Sequence, residues 1–311
     1  MADRLHHEVA QREDKLGLGI GIMALGVTLF TCIDSSAKWL VLAGLPALQV
    51  VFVRYAVHFA MSLVLFLPRE GMDAIRSNAP VRQALRSACL FGSTLCNFTA
   101  LQYLPITVTT TIMFSGPIAV TLLSIPILGE RVGLPRLIAV CVGFVGVLVV
   151  IQPWGAEFHP AMLLNLLAMV LASLYFVLTR MLAGIESNAT AQVWSSGLAS
   201  ILLAPVVYSL WTWPENTIDY VVMGLIGIFG GSAHIFVTQA HRLADASILA
   251  PIIYFQVLTA ALASIVIFGE WPTMWTVVGG AIIIAAGVYI WHRERRQAGI
   301  TPPPADPRTA R

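Results

Sequence analysis

Three ionisable side chains, Asp34, Lys38 and Arg54, stand inside apolar stretches of this 311-residue sequence. A charge at the centre of a bilayer-spanning helix costs about 2.5–3.5 kcal/mol on insertion scales, so each of the three needs a partner or water. Asp34 and Lys38 are four residues apart and share one helix face. Counted back from the ends of their apolar runs at about 1.5 Å per residue, Asp34 and Arg54 both lie roughly 10–12 Å below one membrane surface. Two arrangements fit. In the first, Arg54 or Lys38 holds an electron-rich group of a substrate, and Asp34 orients the cation through a charge-assisted hydrogen bond. In the second, Asp34 pairs with Lys38 or Arg54 to pin the first two helices, and Lys38 snorkels outward. The three formal charges sum to +1, so one cation is left for a ligand if Asp34 is ionised.

Other polar groups in apolar runs extend the candidate substrate-binding set to His58, Asn97, Tyr175, His234, Gln239, Tyr254 and Gln256. Histidines exchange protons near neutral pH, although a helix histidine also serves as a packing residue. Asn97, Asn165, Gln239 and Gln256 suit hydrogen bonds into a cavity better than contact with lipid, or they join helices at about 0.6 kcal/mol per bond. Tyr175, Tyr254 and Trp194 offer faces to a planar ligand, or simply fill the core. No HExxH, GxSxG or Gly-rich phosphate loop occurs, and Cys32, Cys89, Cys96 and Cys141 all fall inside apolar runs without metal-ligand spacing. The expectation is no catalytic residue, no metal and no cofactor; the partners are a small-molecule substrate and the lipid bilayer, with no nucleic acid.

The elements that position these groups follow from composition. With 58% hydrophobic residues, 11% charged and a mean hydropathy of +0.81, the chain suits a bilayer. Crossing about 30 Å of hydrocarbon takes about 20 apolar residues in a helix. Such stretches recur near 16–41, 46–67, 84–104, 107–128, 134–151, 161–182, 190–211, 218–240, 247–268 and 274–291. Backbone amides must pair within the segment in lipid, and runs this long exclude barrel strands. The fold class is therefore all-α integral membrane, with ten transmembrane helices.

Of 18 Lys and Arg residues, every one except Lys38 and Arg54 falls on one side of this ten-pass threading, Arg86, Arg131, Arg136 and Arg180 among them. The positive-inside rule then puts both termini in the cytoplasm and the protein in a cell inner membrane, with residues 1–15 and 292–311 as cytoplasmic tails. Trp39, Trp154, Trp211, Trp213, Trp271, Trp275 and Trp291 sit at span ends as interfacial anchors. Pro117, Pro126, Pro205 and Pro251 interrupt spans, unequally in the two halves, which marks helices four and nine as candidate moving gates.

A shift of 140 residues lays 100–107 over 240–247 and 124–130 over 264–270. Each half, 16–152 and 161–291, then holds five helices. Because five is odd, the halves enter the membrane inverted, as in alternating-access carriers. Ala100 and Ala240 before a short turn, Thr107 and Ser247 opening the next helix, and Gly129-Glu130 and Gly269-Glu270 closing it resemble the EamA-type branch of the drug/metabolite transporter superfamily. The resemblance implies a central cavity between two inverted five-helix repeats, transport of metabolites, and room for homodimer contacts through the last helix of each half. Asp34-Ser-Ser-Ala-Lys38-Trp39 followed by Arg54 looks like members that take up riboflavin or S-adenosylmethionine. The expected function is a secondary transporter with riboflavin-like uptake. An exporter of amino acids or related metabolites stands second, and a membrane-embedded enzyme or channel lacks its motifs. Glu130 and Glu270 sit on opposite membrane faces as marks of the repeat.

Overall fold

A computed structural model describes residues 2–129, 133–153, 155, 158–182, 184–243, 249 and 252–298. Within them the chain forms eleven α-helices and one 3-10 turn, with no strand. The helices are α1 Ala2–Leu42, α2 Ala47–Glu70, α3 Pro80–Leu101, α4 Ile106–Met113, α5 Gly116–Leu128, α6 Leu134–Ile151, α7 Ala161–Leu182, α8 Asn188–Leu210, α9 Thr217–Leu243, α10 Phe255–Phe268 and α11 Met274–Ala298. Seven helical stretches are long and apolar enough to cross a membrane, and 137–151 and 255–268 are shorter apolar helices. The chain is a multi-pass membrane protein. α3 falls outside that set because Arg82, Gln83, Arg86, Ser87, Ser93, Thr94 and Asn97 dilute its apolar content.

Local sequence sets the helix ends. Proline opens α3, α5 and α6 in the first turn, where a missing N–H costs nothing. α5 and α10 end alike, on Gly129 and Gly269 in the left-handed region, each donating its N–H back to Ile125 or Ile265. α1 is one helix from Ala2, with no glycine or proline before Gly17, so the polar lead expected as a tail continues the first span. Likewise α11 runs on to Ala298.

The fourth expected span is not one helix. It breaks at Phe114 and Ser115, between α4 and α5, with Pro117 in the first turn of α5. A second break falls at Tyr254, just before α10. The expectation of unequally broken halves is corrected: the turn residues Phe114 and Tyr254 are 140 apart, and the Phe114, Ser115 and Val257 N–H groups there find carbonyls three or four residues back, so a break forms in each half at little cost in hydrogen bonds. Pro251, which prompted that expectation, lies outside the described residues, as do Glu130, Arg131 and Trp154.

Packing runs α1 on α9, α3 on α7, α2 on α8 and α9, α3 on α8, α5 on α7 and α1 on α10. Ile33, Leu40, Val50, Tyr55, Phe98 and Ile226 fill the largest core cluster. α6 and α11, the last helices of the two halves, pack on each other at glycines: a Cβ on Gly279 would stand 2.7 Å from the Gly146 carbonyl oxygen and 2.5 Å from Val150 Cγ2. Gly279→Val therefore pushes the two backbones apart. Overpacking of this kind costs about 1–3 kcal/mol, and the expected result is a lower Tm in detergent, with Gly224→Ala, which meets nothing within 4 Å, as the neutral control.

Candidate functional site

α3 carries a polar face into the bundle. Thr94 and Asn97 lie one turn apart on it, and each receives a different ion. The Arg54 guanidinium of α2 donates to the Thr94 hydroxyl at 3.3 Å, and its Nε is buried with no hydrogen-bond partner. Tyr55 and Phe98 present their rings to the same guanidinium, 4.7 and 5.9 Å from centroid to Cζ. Asp34 of α1 accepts from Asn97 Nδ2 at 3.0 Å, and Asn97 in turn accepts from Asn165 Nδ2 of α7 at 2.7 Å. A polar string thus joins α1, α3 and α7. Asp34 and Arg54 make no ion pair with each other among the described residues.

Lys38 does not join Asp34 either. Its ammonium is 2% exposed and donates to both Glu270 oxygens, at 2.6 and 2.5 Å, and to the Leu104 carbonyl at 3.0 Å, with the Phe268 ring 5.1 Å away. Of the second expected arrangement, neither the Asp34–Lys38 pair nor the outward-snorkelling lysine occurs. A short polar reach to Glu270, past the end of α10, satisfies the ammonium better than lipid would.

His58 and His234 stack with ring centroids 5.9 Å apart and planes 9° from parallel, and Phe30 meets His234 edge-on at 5.3 Å. Gly231 sits where α2 approaches α9 beside this stack: a Cβ there would collide with Met61 Cε and stand 3.2 Å from His58 Cδ2. Tyr254 lies against Phe114 at 5.4 Å, so the two helix breaks touch. Gln256 is half-buried, and Gln239 is exposed. Trp194 is half-buried, and its indole N–H donates to the Ile75 carbonyl at 2.8 Å. Trp39, an expected interfacial anchor, is 38% exposed and donates to Asp219 at 2.8 Å.

Arg86 departs furthest from its sequence reading. Expected among the flanking cations, it is buried between α3, α7 and α8. Its guanidinium donates to Thr179 at 2.6 Å, Ser195 at 2.9 Å, the Ala191 carbonyl at 3.2 Å and the Tyr175 hydroxyl at 2.9 Å, and lies 4.5 Å from the Tyr175 ring centroid. Every one of these acceptors is neutral. Tyr175, expected among residues for a planar ligand, is engaged by Arg86.

Residues 17–152 and 159–291 each match the model of the EamA-like transporter family. The chain belongs to that family. An S-adenosylmethionine uptake transporter of Rickettsia conorii is 27% identical over 89% of this chain and 94% of its own length. A riboflavin transporter of Rhizobium johnstonii is 27% identical over 96% and 98%, and a pseudopaline exporter of Pseudomonas aeruginosa 24% identical over 88% and 95%. A solved crystal structure 19% identical to this chain aligns over 92% of it and 99% of its own chain with a TM-score of 0.60, which shows a shared fold.

Within this EamA-like transporter the polar groups described above fall into four: Lys38 with Glu270, the Asp34–Asn97–Asn165 string beside Arg54, the histidine stack, and Arg86 with Thr179, Ser195 and Tyr175. Sequence reasoning missed two participants. Glu270 was legible as an acidic residue after a C-capping glycine, but a partner 232 positions away leaves no local mark. Arg86 had a signal: it falls a full turn and more inside α3, flanked by Gln83 and Ser87, which are also buried.

Proposed function

We propose that this EamA-like transporter moves a small metabolite across the bacterial inner membrane by alternating access between two inverted five-helix halves, 16–152 and 161–291. The contact of Phe114 with Tyr254 carries this reading. The two residues are 140 apart, each marks the break in its half, and they meet at the point where a pseudo-two-fold axis between inverted halves would pass. The packing supports the same symmetry. A 140-residue shift turns α1 on α9 into α7 on α3, α1 on α10 into α7 on α5, and α2 on α9 into α8 on α3. A helix interrupted at such a contact can tilt one part against the other without breaking long hydrogen-bonded runs. Ten passes, with both termini cytoplasmic, agree with the clustering of Arg69, Arg76 and Arg82 at one end of the bundle.

In that orientation Lys38–Glu270, Trp39–Asp219 and the paired bonds of Gln49 with Thr212, at 2.7 and 2.9 Å, fasten the outer end. Glu186 with Ser77 and the Ala79 N–H, and Thr190 with the Asp73 carbonyl, fasten the inner end. The Rhizobium relative supports uptake of a riboflavin-like substrate; the Rickettsia relatives support uptake of S-adenosylmethionine, whose methionine part carries an amino-acid head, and the Pseudomonas relative, an exporter, keeps export as the second direction. The test is uptake of labelled riboflavin and of labelled S-adenosylmethionine by bacteria lacking their own importers, with this chain against empty vector. Saturable uptake of one, abolished by Arg54→Ala with membrane insertion unchanged, is the expected result. Full uptake by Arg54→Ala removes Arg54 from the site.

A further inference from the structure

Asp34 and Arg54 lie within electrostatic reach of one another, yet no salt bridge joins them. α3 holds them apart: Thr94 takes one guanidinium nitrogen and Asn97 takes one carboxylate oxygen, a single turn away on the same face. Each ion keeps bonding capacity in reserve. Arg54 Nε is buried without an acceptor, and Asp34 uses only Oδ1 in hydrogen bonds among the described residues. Buried unmade bonds of this kind persist only where something else returns their cost, and a ligand is one such thing.

The surroundings bury the guanidinium, Arg54 being 5% exposed, and fix its plane. Tyr55 and Phe98 set its plane, and on α9 Gly230 leaves room beside Nε, where even a Cβ would stand 3.5 Å away. Asp34 is half-buried, and one oxygen of its carboxylate is left over from the bond to Asn97. Lys38 is no competitor for it, being committed to Glu270 and Leu104.

Resting on the carrier reading above, we propose that the space between Asp34 and Arg54 is a clamp for a zwitterionic head group of the α-amino-acid type. The substrate carboxylate accepts from the Arg54 guanidinium, and its α-ammonium donates to the Asp34 carboxylate. The clamp is neutral as a pair, so it receives a zwitterion with both charges answered. An uncharged ring system leaves both ions unanswered, and a simple anion leaves Asp34 facing nothing but repulsion.

The experiment is counterflow into proteoliposomes holding the full chain, purified as a single species. Labelled probes are the twenty amino acids and S-adenosylmethionine as zwitterions, riboflavin as an uncharged compound and succinate as an anion. At least one zwitterion is expected to accumulate tenfold or more above empty liposomes. Asp34→Asn keeps the oxygen that Asn97 needs and should lower that accumulation at least tenfold, while the same compound lacking its α-amino group loses no more than twofold between parent and variant. Accumulation of riboflavin or succinate alone overturns the clamp and keeps the carrier. Undiminished zwitterion flux in Asp34→Asn also overturns the clamp. Silence across the whole panel overturns the carrier reading and the clamp together.

Discussion

Glu270→Gln should lower stability and, on the alternating-access proposal, bias the transporter toward its outward-open form. The substitution keeps one amide oxygen for the Lys38 ammonium, 2% exposed, but removes the carboxylate charge and the second acceptor, so the cation is left unneutralised beside the Leu104 carbonyl and the face of Phe268. Breaking a fully buried pair costs about 3–5 kcal/mol. Glu270 is 33% exposed, so water can reach the freed cation, and the expected loss is about 2 kcal/mol. It is read as a drop in Tm in detergent. The double variant Lys38→Met, Glu270→Gln removes the stranded charge and should recover most of the Tm. Transport separates the two roles of the pair: if it fastens the outer end, the double variant regains stability but stays altered in accessibility of a cysteine placed in the outer half of α2. Wild-type accessibility in both variants would reduce the pair to a structural tie.

Arg86→Met is the second large effect. The methionine fills part of the stem's volume but abandons four hydrogen bonds that tie α3 to α7 and α8. Bonds to a charged donor contribute about 1.5–3 kcal/mol each before the return of the guanidinium's own desolvation, which offsets a good part of the sum. The net expectation is a loss of about 3 kcal/mol, seen as poor yield and a lower Tm. Tyr175→Phe removes one bond and keeps the ring under the cation, so its loss should stay near 1 kcal/mol. Arg86→Lys tests geometry against charge: a point ammonium cannot span Thr179, Ser195 and Tyr175 at once. A stable Arg86→Met protein would show that the hydroxyls re-pair among themselves, since Thr179 and Ser195 already donate to backbone carbonyls of their own helices.

Much of the architecture was legible because membrane helices obey a composition rule. Twenty apolar residues without a charge leave the backbone no alternative to a helix, so the long spans fell where they were expected. Family membership was legible too, through Gly129-Glu130 and Gly269-Glu270, whose glycines are the left-handed caps of α5 and α10. α3 was the harder case, since its polar face is what an interior helix needs and what a hydropathy scan penalises.

The sequence by itself determined that Asp34, Lys38 and Arg54 must have partners, because an ion in hydrocarbon cannot stand alone. It could not name them. Spacing speaks for contacts within one helix, and Asp34 with Lys38, four apart, was the pair that spacing favoured. The tertiary structure decided otherwise: Lys38 reaches Glu270, Asp34 reaches Asn97, and Arg54 keeps an unmet donor. Those choices depend on which helices lie side by side, and helix adjacency is set by the summed packing of many weakly attractive apolar surfaces and close glycine approaches. No local pattern encodes that sum, so the charges were visible in the sequence and their partners only in the fold.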